Sequence, residues 1–331
     1  MSAVQYIDTK QPFLFENGKS IDTLRIAYHT YGKLNAERNN VIWVFHATTA
    51  NSDVMSWWPG LFGETCLYNP SEYFIVCANT IGSPYGSSMP KNLEFPQFTI
   101  RDVVKAHNEL AKFLGITRIH TAIGGSFGGS QAMEFVLAFK GHVERLVVLA
   151  CAARETAWGI AIHEAQRLAL QADATFGTCN GGKNGLKAAR AIGMLTYRTH
   201  RAFVETQTDE MDKVDDFKAA SYIQYQGQKL VNRFDALSYY YLCSCLDTHN
   251  LGRNRGGVKR ALHAITCPTL AIGIDSDQLL PVYLQKDIAK HVQHGEYVEI
   301  TSDYGHDGFL IETKQISEVI QAFYNNEKSR S

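Results

Sequence analysis

The sequence predicts an α/β protein: a mostly parallel sheet, helices on both faces, and a helical lid inserted into the chain. Three observations carry this. Residues 1–153 alternate short apolar runs with helical periodicity, residues 154–266 read as one helix after another, and the alternation resumes over residues 267–331. A core in two parts, 1–153 and 267–331, with a lid of 154–266 between them, is the expected organisation.

Strands are legible in the first part at residues 24–28, 41–45, 73–78, 119–123 and 145–150. Between them residues 99–114 form a helix. Thr99 and Asp102 make a capping-box pattern at its start, and Val103, Val104, His107, Leu110, Ala111 and Leu114 form its apolar stripe. Strands joined by helical crossovers favour parallel pairing. The insertion reads as helices over 160–171, 185–203, 215–233 and 235–247, punctuated by GGKNG (181–185) and GRNRGG (252–257). The second part holds strands at 269–274 and 297–300.

Composition excludes several function classes. The chain has 331 residues, 45% hydrophobic and 20% charged, with a net charge of −1, a balance that gives no support for nucleic acid or an anionic membrane as partner. No apolar run approaches the ~18–20 residues of a membrane span. The first residues lack the basic and apolar regions of a signal peptide. Seven cysteines, scattered through apparent strands and helices, form no disulfide framework. Cys243 and Cys245 are too closely spaced for the usual zinc pair, and no metal is expected. The reading is a reduced, cytoplasmic protein.

The chemistry begins at Gly124-Gly125-Ser126-Phe127-Gly128, which fits G-x-S-x-G between an expected strand and an expected helix. A serine on that sharp turn has its hydroxyl pushed above the sheet, over the free N–H groups of a helix N-terminus. It needs a base and an orienting acid, which in such a fold follow in the order acid, then histidine. His306, in a Gly-flanked loop after a strand, is the base. Asp275 and Asp277, at the end of the 269–274 strand, both remain open on spacing as the acid. The oxyanion donors are the backbone N–H of Phe127 and that of Thr48 or its neighbour, in the loop after the 41–45 strand. His46 in that loop is read as a structural residue. Trp57-Trp58 fits either a pocket wall or the core. In the lid, Arg190, Gly193, Met194 and Tyr197 share one helix face, where a cation and a phenol suit a carboxylate ligand, or a solvated arginine beside a core tyrosine.

With these residues assembled, the chain resembles the homoserine O-acetyltransferases, acyltransferases of the α/β-hydrolase fold that serve methionine biosynthesis. The likeness runs almost end to end: YHTYGKLN (28–35), HATTA (46–50), NTIGSPYGS (79–87), FPQFTIRD (95–102), GGSFGG (124–129), AARAIGMLTYR (188–198), SYIQYQGQK (221–229), SDQLLP (276–281) and YGHDGFL (304–310). The resemblance implies Ser126, Asp277 and His306 as a catalytic triad, and Arg190, Tyr197 and Asp307 as acceptor-binding residues. Arg190 would meet the α-carboxylate of L-homoserine and Asp307 its α-ammonium. It implies acetyl-CoA as co-substrate, no cofactor, and a homodimer through the lid helices. Two departures stand out. Residues 81–95 are shorter than the family's usual loop, and Thr48 and Ala50 replace the frequent Leu and Gly, with an expected restriction of the oxyanion loop. An esterase or thioesterase shares the same acyl-enzyme chemistry, and residue types alone leave succinyl donors and L-serine as an acceptor open.

Overall fold

The structure, a computed structural model, describes residues 3–178 and 180–330; Met1 and Ser2, where the signal-peptide reading begins, and Cys179 lie outside the described residues. Its centre is an eight-stranded sheet. In chain order the strands are β1 (Gln5–Asp8), β2 (Arg25–Tyr31), β3 (Val41–Phe45), β4 (Phe74–Ala78), β5 (Thr121–Gly125), β6 (Leu146–Leu149), β7 (Thr269–Ile274) and β8 (Gly295–Ile300). In space they run β1-β2-β4-β3-β5-β6-β7-β8. β1 and β2 pair antiparallel, as do β2 and β4; from β4 to β8 every pairing is parallel.

The parallel strands sit where sequence chemistry sends them. VIWVF of β3, LVVL of β6 and TLAIGI of β7 are buried at every residue, because helices cover both faces. The antiparallel edge was missing from the sequence reading: β1 (QYID) is short and mixed, without the apolar run that marks a buried strand. β5 is shifted relative to the expected 119–123. Gly124 and Gly125 still pair with Val148 and Leu149, so the strand runs up to Ser126, while Arg118–Ile119 pairs with His142–Val143 instead.

Helices α1 (Ile100–Phe113) and α2 (Phe127–Ala138) pack beside each other on the sheet. The capping box at α1 forms: Thr99 Oγ accepts the Asp102 N–H at 3.4 Å, and the Asp102 carboxylate accepts the Thr99 N–H at 2.9 Å. Between β6 and β7 lie α3 (Ala157–Gln171), α4 (Lys183–Tyr197), α5 (His200–Gln207), α6 (Lys218–Val231), α7 (Ala236–Asp247) and α8 (Val258–His263).

The single helix expected over 185–203 is two. Arg198 turns extended (φ −113°, ψ 149°), and Thr199 caps α5 by accepting the Ala202 N–H at 3.0 Å. The Thr199 hydroxyl also donates to the Asp303 carbonyl at 2.6 Å, tying the insertion to the loop that carries His306. A threonine with two such partners outside a helix leaves the helix, which periodicity does not register. Among the described residues no helix is long and apolar enough to cross a membrane.

Candidate active site

Ser126 occupies the turn from β5 into α2 with φ 55° and ψ −124°, a left-handed backbone costly for a residue with a side chain. Its surroundings hold it there. The Ser126 N–H donates to the Leu149 carbonyl at 2.9 Å, and Gly128 lets α2 approach β3 so closely that a β-carbon at 128 would overlap the Phe45 carbonyl.

His306 sits on a single 3-10 turn, Gly305–Asp307, that follows β8. Its Nε2 lies 2.8 Å from Ser126 Oγ, and its Nδ1 lies 2.7 Å from Asp277 Oδ2. Asp277 is buried, and its other oxygen accepts the N–H groups of Leu279 and Leu280, both at 2.9 Å. Those bonds fix the carboxylate and aim Oδ2 at the imidazole. Asp275, the alternative on spacing, points elsewhere: it accepts the Ser302 N–H at 3.0 Å and anchors the loop instead. Burial disfavours the charged imidazole, but the Asp277 charge and hydrogen bond, with Asp307 and Glu155 further off, outweigh it and raise the His306 pKa above 6.5.

The Phe127 N–H opens α2 and has no partner within the helix. Thr48 lines the same cavity as Ser126. Beneath it, the His46 ring is a strut. Its Nε2 accepts the Thr80 N–H at 2.9 Å, which leaves Nδ1 to donate to the Ala47 carbonyl at 2.7 Å. Gln131 Nε2 adds a bond to the His46 carbonyl at 3.3 Å. Burial lowers the His46 pKa to about 4, so the ring is neutral. Ala50 lies outside the left-handed region, so replacing glycine there restricts nothing.

Over Ser126 lies a cavity of about 460 Å³, walled on one side by the oxyanion loop and on the other by the helical insertion. Arg190 and Tyr197 both reach it from α4. The Arg190 guanidinium lies 5.2 Å from the Tyr197 ring centre, and that ring lies 5.9 Å from the His306 ring. Asp307 lines it too, with Oδ2 2.9 Å from Arg198 Nε. The two tryptophans divide: Trp57 lines the cavity, while Trp58 is fully buried and donates to the Phe309 carbonyl at 3.0 Å. Lys229 and Arg233 stand on another part of the wall, where Arg233 donates to the Tyr85 hydroxyl at 2.6 Å.

Several lining residues escaped the sequence reading. Glu155, just before α3, and Gly159, His163 and Gln166 on it present one stripe, and Cys243 reaches the cavity from α7. The stripe was detectable, since its spacing of four, four and three residues is helical. Burial pushes the Cys243 thiol far up, so it lines the wall as an uncharged group.

Together the parts can perform acyl transfer: a serine hydroxyl held against an imidazole, a buried carboxylate behind it, and backbone N–H groups beside it. Known proteins agree with the chemistry. Residues 40–313 match the family described as alpha/beta hydrolase fold. The homoserine O-acetyltransferase of Cyclobacterium marinum is 43% identical over 93% of this chain and 92% of its own length. The crystal structure of homoserine O-acetyltransferase from Staphylococcus aureus superposes with a TM-score of 0.85 at 29% identity, covering 98% of this chain and 96% of that one. Esterase E22, at 20% identity, shares the fold with a TM-score of 0.89 over 98% of this chain and 100% of its own. The chain therefore belongs to the homoserine O-acetyltransferases, acyltransferases built on the α/β-hydrolase fold.

Proposed function

We propose that this enzyme transfers the acetyl group of acetyl-CoA to the hydroxyl of L-homoserine, in methionine biosynthesis, through an acyl-enzyme on Ser126. The observation that carries the proposal is the Ser126–His306–Asp277 relay opening into a cavity that also holds Arg190.

His306 Nε2 takes the Ser126 proton as Oγ attacks the thioester carbonyl. The oxyanion then meets the N–H groups of Phe127 and Thr48. Collapse breaks the C–S bond, and the His306 proton leaves with the CoA thiol. In the second half the homoserine hydroxyl gives its proton to His306 and attacks the acetyl-serine carbonyl, releasing the ester and restoring Ser126. Asp277 holds the imidazole tautomer and stabilises its cation in both halves. Arg190, beside the Tyr197 ring, takes the amino acid's carboxylate, and Asp307 belongs to the same acceptor site.

Residues 154–266 act as the lid that supplies this acceptor wall. Exposed Trp158, Leu168, Leu195 and Tyr225 on its helices support a homodimer formed through the lid. The enzyme works in the cytoplasm with no cofactor, and its cysteines support that compartment: those described are free.

The test is release of CoA thiol from acetyl-CoA with and without L-homoserine, beside succinyl-CoA and L-serine reactions. Homoserine-dependent release with acetyl-CoA, abolished by Ser126→Ala, is the expected result. Release indifferent to any amino acid would make the enzyme a hydrolase instead, the activity named for its structural neighbour esterase E22.

A further inference from the structure

Some charges at the cavity pair off, and among the described residues four lining groups have no ion pair: the cations Arg190, Lys229 and Arg233, the last bonded to the Thr49 carbonyl and the Tyr85 hydroxyl, and the anion Glu155. Asp277 is matched by His306, and Asp307 lies against Arg198. His163 bonds Asp247 at 2.7 Å, and Arg167 lies 2.6 Å from the same carboxylate. Of the lid groups facing Ser126, Arg190 makes its contact with the Tyr197 ring, and no ion pair among the described residues reaches it. Glu155 is its counterpart of opposite sign. Its Oε1 accepts the Thr156 N–H at 2.8 Å, and no hydrogen bond or ion pair among the described residues reaches its Oε2.

The position of Glu155 is built. Its own N–H donates to the His249 carbonyl at 2.9 Å, which fixes the backbone at the entry to α3. Gly159 leaves room for the carboxylate over the first turn of the helix, since a β-carbon there would overlap Glu155 Oε1. Burial raises the Glu155 pKa, with only partial relief from His163 and the Thr156 N–H. A half-buried carboxylate with no ion-pair partner loses hydration and gains no ion pair in return.

Arg190 and Glu155, without ion pairs among the described residues, share the Ser126 cavity and complement the two ends of a zwitterion. We infer that Glu155 binds the α-ammonium of the amino-acid acceptor, together with Asp307, while Arg190 binds its α-carboxylate. This rests on the acyl-transfer reading above and adds a residue to its acceptor site. Glu155 gains from the ammonium more than Asp307 does, because Arg198 already neutralises Asp307.

The test compares two acceptors of the same acyl-enzyme, L-homoserine and 4-hydroxybutyrate, which lacks the ammonium. Wild-type enzyme is expected to prefer homoserine in kcat/KM. In Glu155→Gln that preference should shrink about tenfold or more, the size of a charge-assisted hydrogen bond, with the change in the KM for homoserine, and Glu155→Asp should restore part of it. Because 4-hydroxybutyrate reports on the same protein sample, damage to folding lowers both rates and leaves the ratio unchanged. An unchanged ratio in Glu155→Gln overturns the inference and leaves the acyl-transfer reading intact. No homoserine-dependent transfer by the wild type overturns both.

Discussion

His306 feels two opposed pressures, and their balance has a measurable consequence. Burial favours the neutral ring, whereas Asp277, Asp307 and Glu155 favour the cation and win. As a base His306 must be neutral, so the rate of the acylation half-reaction should fall with decreasing pH, along a limb lying above pH 6.5. Asp307→Asn removes one of the charges that raise this pKa, and the limb should move toward lower pH. The pH dependence of kcat/KM for acetyl-CoA in both proteins checks this, and an unmoved limb counts against the assignment of His306 as base. Residue-level legibility was uneven. The turn that carries Ser126 was readable because it depends on a local strand–turn–helix pattern. Asp275 and Asp277, two residues apart at a strand end, were not separable by spacing. What separates them is the pair of backbone N–H groups at Leu279 and Leu280 that turn Asp277 toward the imidazole.

The elements β3, β5 and α2 meet at the Ser126 turn, and their approach is set by glycine. At Gly128 the helix backbone comes against the Phe45 carbonyl, the end of the strand that leads into the oxyanion loop. Gly128→Ala should push α2 away from β3, with a loss of about 1–3 kcal/mol typical of overpacking and a larger loss of acyl-enzyme formation. Thermal unfolding beside the rate of serine labelling by a fluorophosphonate measures both. A wild-type melting temperature would show that the helix has room that the structure denies it. Helices with strong caps and stripes, such as α1, were legible from sequence. The break at Arg198–Thr199 was not, because it depends on Thr199 reaching a carbonyl more than a hundred residues away, at Asp303.

At the scale of the whole molecule, three buried histidines away from the Ser126–His306 pair are kept neutral. His46, His107 and His249 are buried, and burial lowers their pKa values from 6.5 to about 4, 3 and 4. In the unfolded chain they bind protons near pH 6.5, so between there and about pH 4 the unfolded state holds more protons than the folded one. Their contribution to stability is therefore complete above pH 6.5 and is lost as the pH falls toward the folded values. Within that window the loss should amount to about 1.4 kcal/mol per pH unit for each histidine. Urea unfolding at pH 7 and pH 5 tests the sign, and equal stability at both would refute it. His46 joins this behaviour to the proposed catalytic site, because its neutral ring accepts the Thr80 N–H beneath the loop proposed to supply an oxyanion donor.

The fold class, the buried strands and the serine turn follow from patterns within a few neighbouring residues, because apolar periodicity, caps and glycine act locally. The makeup of the cavity wall does not. Glu155, Arg190, Cys243 and His306 stand in one cavity although they lie on separate parts of the chain, brought together by the packing of the helical insertion over the sheet. Which charges there are matched and which remain free is a property of distance in space. Sequence lists the charged residues but carries no such distances, so the lack of an ion pair at Arg190 and at Glu155 emerged only from the folded arrangement of the described residues.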